Sequence, residues 1–279
     1  MNIKVITGSI QEQTAQAIVV NLFEDVVKPG GATGAVDKAL GGQIQTLIEA
    51  GDFKGKRNEV TVLYPNGAIP AQRVIVVGLG KQDKFTLDIA RQAAGTVAKK
   101  ARDLGVTHIH TVLHGAGIGG LSPEESAEAV VEGALLALYR FHELKTQLDD
   151  VRPDVETLTL VEFDPGRADA IKTGARTGQI IAEATMLARD LVNRPANIAT
   201  PTHIAEVAQQ IAEETGLRYQ VLDKAELTKL GMGSLLSVNQ GGGEPARLIV
   251  LEHNAEHDDL PTIVPVSYTH LTLPTKRIV

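Results

Sequence analysis

Segments typical of strands alternate with segments typical of helices along the first half of the chain, and this alternation restricts the fold more than any other feature. The run from Ala17 to Phe23 is almost continuously apolar, as in a strand buried on both faces. Further strand patterns lie at 59–64, 73–77, 107–114 and 157–163, and helix patterns lie at 34–50, 86–104 and 122–142. The alternation predicts a three-layer α/β domain with a largely parallel sheet over residues 1–165.

Two of the predicted helices carry clear start signals. Thr86 precedes the first of them and is expected to be its N-cap. The second begins at Ser122-Pro123-Glu124-Glu125, with a Ser cap, a Pro at the first helical position and a Glu three residues after the cap.

The second half begins with a long helical pattern at 166–192. Pro195 would break a helix that continued past it. We interpret 166–199 as a connector helix and loop, and 200–264 as the incomplete start of a second α/β domain. Its predicted elements are a helix at 200–215, a strand at 218–222, a helix at 224–230, a glycine-rich loop at 241–243, a strand at 247–252 and a strand start at 262–264.

Composition excludes several classes of protein. The absence of Cys excludes disulfides, thiolate metal sites and Cys nucleophiles. With 27 basic and 34 acidic residues, a net charge of −7, 3% aromatic residues and no Trp, the chain lacks the features of nucleic-acid and anionic-lipid binding. No apolar run approaches the roughly 20 residues of a membrane span, and the N-terminus lacks a signal-peptide pattern. We expect a cytoplasmic protein that acts on small molecules or peptides.

A glycine motif, Gly115-Ala116-Gly117-Ile118-Gly119-Gly120, matches G-x-G-x-x-G between a predicted strand and a predicted helix. A dinucleotide fold needs an acidic residue about 20 positions later, at the tip of the next strand, and here that distance falls inside a helix. We therefore favour a loop that only turns the chain, with phosphate binding as the alternative. Gly78-Leu79-Gly80-Lys81 is a weaker motif, a strand exit with one cation.

Histidines occur in two patterns that could bind metal. The period of a strand places His108, His110 and His114 on one face, but no carboxylate shares that face, which favours a polar, solvent-facing side. His253 and His257 have helical spacing, yet Asn254 stands where a zinc protease has its catalytic Glu, so we interpret them as part of a surface turn. Neither a G-x-S-x-G elbow nor a P-loop is present.

The second half also resembles a known family. The segment 188–197, Ala-Arg-Asp-Leu-Val-Asn-Arg-Pro-Ala-Asn, with Thr200-Pro201 after it, is similar to the linker of the leucyl aminopeptidase (cytosol aminopeptidase) family. Residues 230–241 look like the family's LGMGALLAVGQG, and 245–252 are similar to its next strand. The first half agrees more loosely, at 51–56, 76–81 and 132–141, so the resemblance runs in order over 1–264.

The resemblance implies a hexameric cytoplasmic metallopeptidase that removes N-terminal residues from peptides. In this family two divalent ions, zinc or manganese, activate a water molecule and polarise the scissile carbonyl. The family's ligands come from Val-Gly-Lys-Gly, Thr-Phe-Asp-Ser-Gly-Gly and Asn-Thr-Asp-Ala-Glu-Gly-Arg segments, none of which occurs in this sequence. We therefore carry over no catalytic, cofactor-binding or metal-binding residue, and we expect the 279-residue chain itself to bind no such metal and to be inactive.

The tail, residues 265–279, departs from the family pattern. The first ligand segment should follow Val264, but Pro265 stands there and removes a hydrogen-bond donor from an expected central strand. Residues 266–275 match the translation of a common transposon-based sequencing adapter. We therefore expect the genuine protein sequence to end at Val264 and the tail to be a sequencing scar.

Two alternatives remain open. The family's first domain is similar to macro domains, which hold ADP-ribose-like ligands, so a macro-like nucleotide-binding or ADP-ribose-binding module without peptidase activity is the main alternative. Some relatives of the family add a DNA-binding or assembly role, and the net charge of −7 weighs against that role here.

Overall fold

The computed structural model describes residues 1–147, 152–254, 261 and 263–264. The chain divides into two compact units, Met1–Asn193 and Arg194–Val279. The first unit therefore extends 28 residues past the predicted boundary at 165. The tail at 265–279 and its interpretation as a sequencing scar lie outside the described residues.

A six-stranded sheet forms the centre of the first unit. Its strands are β1 (Asn2–Thr7), β2 (Ala17–Leu22), β3 (Val60–Leu63), β4 (Val74–Gly78), β5 (His108–Thr111) and β6 (Thr157–Glu162). They lie in the order β1-β6-β5-β2-β4-β3, and every neighbouring pair is parallel except β3 with β4. The largely parallel sheet is confirmed, with β1 as an addition to the predicted strands.

Five helices cover the two faces of this sheet. They are α1 (Gly31–Ala39), α2 (Gln43–Ala50), α3 (Leu87–Asp103), α4 (Pro123–Leu138) and α5 (Ala168–Asn193). Val19 of β2 packs into the core under α3, α4 and α5, whereas Ile18 and Val20 pack into the core under α1 and α2. Both faces of β2 are therefore buried, which explains its continuous apolar sequence and confirms the three-layer α/β prediction.

Local sequence signals explain where the helices begin and break. The predicted capping box is present: Ser122 Oγ accepts from the N–H of Glu125 at 3.2 Å, and Glu125 Oε2 accepts from the N–H of Ser122 at 3.0 Å. The single helix predicted at 34–50 is wrong. It is two helices, because Gly41 and Gly42 adopt φ values of +67° and +87° between α1 and α2.

Helix α5, predicted to be part of a connector, packs closely against α4. A Cβ atom built at Gly174 would lie 2.0 Å from the carbonyl oxygen of Glu124. At the far end, Tyr139 donates a 2.8 Å hydrogen bond to Asp190 Oδ1, and Asn193 Nδ2 donates to the Tyr139 hydroxyl at 3.0 Å. Helix α5 therefore belongs to the first unit along its whole length, which is why that unit ends at Asn193.

The second unit contains three helices and two strands among its described residues. They are α6 (Pro201–Thr215), β7 (Arg218–Leu222), α7 (Lys224–Lys229), α8 (Gly233–Asn239) and β8 (Leu248–Glu252), and β7 pairs with β8 in antiparallel fashion. Helix α8 was not predicted. The strand expected to start at Thr262 falls partly outside the described residues, and Ile263 and Val264 are not in a strand.

Within the described ranges, no helix combines the length and apolar character that a bilayer crossing requires.

Candidate functional site

A cavity of about 500 Å³ opens at the carboxyl ends of β2, β5 and β6. Neighbouring strands β2 and β5 lead into helices on opposite faces of the sheet, α1 after β2 and α4 after β5. Connections that diverge in this way leave a crevice, which is where ligands bind in open α/β sheets. We call this cavity the switch-point cleft, and we define it by Asn21, Lys28, 30–33, 115–119, Phe163 and Arg167.

Residues 115–119 of the glycine motif supply one wall of the switch-point cleft. Gly115 has φ +88° and Gly120 has φ +76°, a backbone region that favours glycine. A Cβ atom at Gly115 would also meet the ring of Phe85 at 2.1 Å. These two glycines are therefore explained by the turn and by packing. A Cβ atom at Gly117, by contrast, would meet nothing within 4 Å.

The weaker motif at Gly78 is explained by close packing. A Cβ atom there would lie 2.1 Å from the carbonyl oxygen of Lys56, so only glycine fits. Gly80 has φ +72° and packs beside Arg57. These residues do not line the switch-point cleft.

Below the cleft, Asn21 and His114 contact each other. Asn21 Nδ2 lies 3.1 Å from His114 Nδ1 and donates to the carbonyl of Leu113 at 3.3 Å. Burial lowers the pKa of His114 to about 4, so the imidazole is neutral at pH 7 and Nδ1 can accept from the amide. This pair fixes Asn21 at the end of β2, where it lines the cleft.

The expectation that His114 faces solvent is wrong. It is 1% exposed, because β5 ends at Thr111 and the strand period does not extend to residue 114. His108 is exposed and His110 is partly buried, although both lie in β5, an interior strand of the sheet. Burial lowers the pKa of His110, and the nearby charges of His108 and Lys4 lower it further.

No metal centre is assembled in the part of the chain that the structure describes, where no three His, Asp or Glu side chains come together. The described residues therefore do not fit the pair of divalent ions that the family resemblance implies. His253 lies in an exposed bend after β8, and its predicted partner His257 is outside the described residues.

Sequence reasoning missed the switch-point cleft because the cleft depends on β2 and β5 becoming neighbours, although 85 residues separate Leu22 from His108. Besides the glycine motif, one further signal was present. Asn21 is a polar residue inside an otherwise apolar strand, and polar groups in such positions need a partner.

Two family models match the chain. The N-terminal domain of the cytosol aminopeptidase family matches residues 19–148, and the catalytic domain of the same family matches residues 186–267. A probable cytosol aminopeptidase of Alkaliphilus metalliredigens is 34% identical over 255 residues, which cover 91% of this chain and 51% of the relative. One of Nitratidesulfovibrio vulgaris is 38% identical over 260 residues, covering 91% and 50%. The chain thus spans about half the length of these curated relatives.

Solved structures agree with these matches. The bottromycin maturation enzyme BotP, in complex with Mn, is 27% identical with a TM-score of 0.67, and the match covers 85% of this chain and 45% of that one. A mutant of tomato leucine aminopeptidase has a TM-score of 0.76 at 22% identity and shares the fold, over 89% of this chain and 50% of that one. The predicted resemblance is confirmed: the chain belongs to the cytosol aminopeptidase family.

Proposed function

We propose that this chain is part of a metal-dependent aminopeptidase that removes N-terminal residues from peptides. The observation that carries the proposal is the match of residues 186–267 to the family's catalytic domain. The curated relatives are named probable cytosol aminopeptidases, and the BotP structure contains Mn, which supports a metal-dependent reaction. Peptides are then the substrates, and Mn or Zn supplies the two divalent ions.

We infer further that the 279-residue chain does not itself hydrolyse peptides. The family's ligand segments are missing from the sequence, and the described residues bring no three metal-binding side chains together. Loss of the ligands of a catalytic metal removes both the activated water and the polarised carbonyl. On this account the chain contains the first unit and the start of the catalytic domain but lacks the metal ligands that the reaction needs.

The experiment compares two proteins in the hydrolysis of leucine p-nitroanilide with added Mn or Zn. The first is the chain as given. The second is the product of the source gene, sequenced and expressed past the codon of Val264. We expect no turnover by the first, and turnover by the second that a chelator abolishes.

Each result decides a different point. Metal-dependent turnover by the 279-residue chain would contradict its inactivity. A native gene that encodes residues 265–279 as they stand would overturn the sequencing-scar interpretation. An extended product that carries Gly-Lys-Gly soon after Val264 but hydrolyses no aminoacyl substrate would overturn the aminopeptidase proposal.

The resemblance also supports a homohexameric, cytoplasmic full-length enzyme. Sedimentation of the extended product tests the assembly, with six copies expected and a stable monomer contradicting it. Fractionation of the source cells tests the location.

A further inference from the structure

We propose that His108 and His110 of β5 bind one divalent transition-metal ion, Ni²⁺, Cu²⁺ or Zn²⁺, through the Nε2 atom of each imidazole. The two residues lie toward the amino end of the strand and do not line the switch-point cleft. The site does not depend on the aminopeptidase proposal.

The face of β5 that carries the two histidines is open to solvent. His110 pairs in register with Ile18 of β2, so both histidines project toward the side of the sheet that α1 and α2 cover. The buried core on that side includes residues of β2, β4 and β6 but none of β5. His108 is exposed and His110 only partly buried, so an ion can reach both rings from solvent.

The spacing of the two histidines lets both rings reach a single ion. Residues two apart on one face of a strand lie about 7 Å apart, and an ion bonds an imidazole nitrogen at about 2 Å. Two imidazoles that lean toward each other span this distance. The two side chains are also close enough for the charge of His108 to lower the pKa of His110.

A hydrogen-bond chain leaves Nε2 of His108 free to bind metal. Gln16 Oε1 accepts from the backbone N–H of Thr107 at 2.7 Å and from that of His108 at 3.1 Å, which identifies this atom as the amide oxygen. The Thr107 hydroxyl donates to the same oxygen at 3.1 Å, and its Oγ1 lies 2.8 Å from His108 Nδ1. Because its own hydrogen is already used, Oγ1 accepts from Nδ1–H. The neutral imidazole of His108 therefore has its lone pair on Nε2, as when an outer hydrogen bond orients a metal-binding histidine.

The ring of His110 has no competing partner. None of the described residues forms a hydrogen bond with either of its nitrogens. Nδ1 is buried, which leaves Nε2 as the nitrogen that coordinates an ion. Burial and the nearby charges of His108 and Lys4 lower the pKa of His110, so the ring is neutral at pH 7, the form in which imidazole binds metal.

The neighbours of the two histidines select the kind of ion. Thr157 and Thr159 of β6 flank them in register, and Lys4 lies beyond Thr159 on β1. These neighbours include no carboxylate, which disfavours Mg²⁺, Ca²⁺ and Mn²⁺, ions that prefer oxygen ligands. A pair of imidazoles suits Ni²⁺, Cu²⁺ and Zn²⁺, with water molecules in the remaining coordination positions.

The experiment titrates the 279-residue chain calorimetrically with Ni²⁺ and, separately, with Mn²⁺ at neutral pH. We expect one Ni²⁺ per chain with a Kd below about 0.1 mM, and no Mn²⁺ binding in the same range. His108→Asn replaces an exposed side chain, so the fold should persist. It should weaken Ni²⁺ binding by more than about tenfold, because one of the two ligands is lost.

Two further variants show what this effect depends on. Thr107→Val removes the hydroxyl that orients His108 but keeps the shape of the side chain, and should weaken Ni²⁺ binding by about tenfold. His253→Asn removes one exposed imidazole from the second unit and should leave Ni²⁺ binding unchanged.

NMR of the imidazole nitrogens tests the site in the unaltered chain. Long-range proton–nitrogen correlation spectra should show His108 in the Nδ1–H tautomer before metal is added. One equivalent of Zn²⁺, which is diamagnetic, should shift the Nε2 resonances of His108 and His110 and leave those of the other histidines in place.

The proposal is overturned if the chain binds no Ni²⁺, if His108→Asn and His253→Asn weaken binding equally, or if Zn²⁺ shifts other histidines instead. An unchanged Ni²⁺ affinity in Thr107→Val would overturn the role of the hydrogen-bond chain.

Discussion

The two units of the chain differ in how completely they bury their apolar side chains. In the first, β4 is buried at every residue, because helices cover both faces of the sheet. In the second, β7 and β8 form a two-stranded sheet with no fully buried residue. The described residues that the second unit does bury are Ala205, Ala208, Ala212, Leu227 and Ala246.

The stability of the chain resides mainly in the first unit. Isolated two-stranded sheets are marginal in water, and alanines contribute little apolar area. Val238 and Ile263 remain 87% and 86% exposed in the second unit. We therefore expect residues 1–193 to dominate the free energy of unfolding, and the second unit to open first.

The largest effect should come from core truncation. Leu158→Ala in β6 removes a side chain that is 1% exposed and should lower the free energy of unfolding by about 2–5 kcal/mol. Leu227→Ala in α7 removes one that is 0% exposed, yet should leave the main transition unchanged. Urea unfolding followed by circular dichroism measures both. Equal losses in the main transition would mean that the two units unfold together.

A change of pH should have a smaller effect on the free energy of unfolding. Among the described residues, His114 in the first unit is the one buried histidine. Its pKa falls from the ordinary 6.5 to about 4 on folding. Below pH 6.5 the unfolded chain therefore binds a proton that the folded chain excludes. The free energy of unfolding should drop by roughly 3 kcal/mol as the pH falls toward 4.

Variants isolate this contribution. His114→Gln should flatten the pH dependence between 6.5 and 4, although it also lowers stability at pH 7. His203→Gln, in the second unit, is the matched control and should leave the slope of the main transition unchanged. Urea unfolding at several pH values gives both slopes, and equal slopes for His114→Gln and the unaltered chain would rule out the buried imidazole as the cause.

The smallest effect tests whether α5 belongs to the first unit. Gly174→Ala places a Cβ atom 2.0 Å from the carbonyl of Glu124, so α5 must move away from α4. We expect a loss of about 1–3 kcal/mol in urea unfolding. Gly243→Ala, where a Cβ atom meets nothing within 4 Å, should cause none. A neutral Gly174→Ala would indicate that the two helices pack less closely than described.

Sequence reasoning succeeded where the deciding forces are local. The start of α4 was predicted from Ser122 and Glu125, because a capping box forms within one helical turn. Strand β7 was predicted with its observed bounds, Arg218–Leu222, since turn residues flank a short segment in which polar and apolar residues alternate. The family was likewise predictable from the contiguous segment 188–201.

Sequence reasoning failed where tertiary contacts decide the outcome. Nothing local shows that α5 packs on α4 through Gly174, the contact that continues the first compact unit to Asn193. His114 was assigned to a solvent-facing strand because the end of β5 at Thr111 was not visible in the pattern. The switch-point cleft needed the strand order, which the alternation of elements does not specify.

Native-state hydrogen exchange on the whole chain, resolved by peptide, measures the stability of each unit separately. Stability that resides in the first unit predicts slow exchange for the amides of β2, β4 and β5, with opening free energies close to that of global unfolding. The amides of β7 and β8 should exchange far faster. Equal or greater protection of β7 and β8 would mean that the stability does not reside in the first unit.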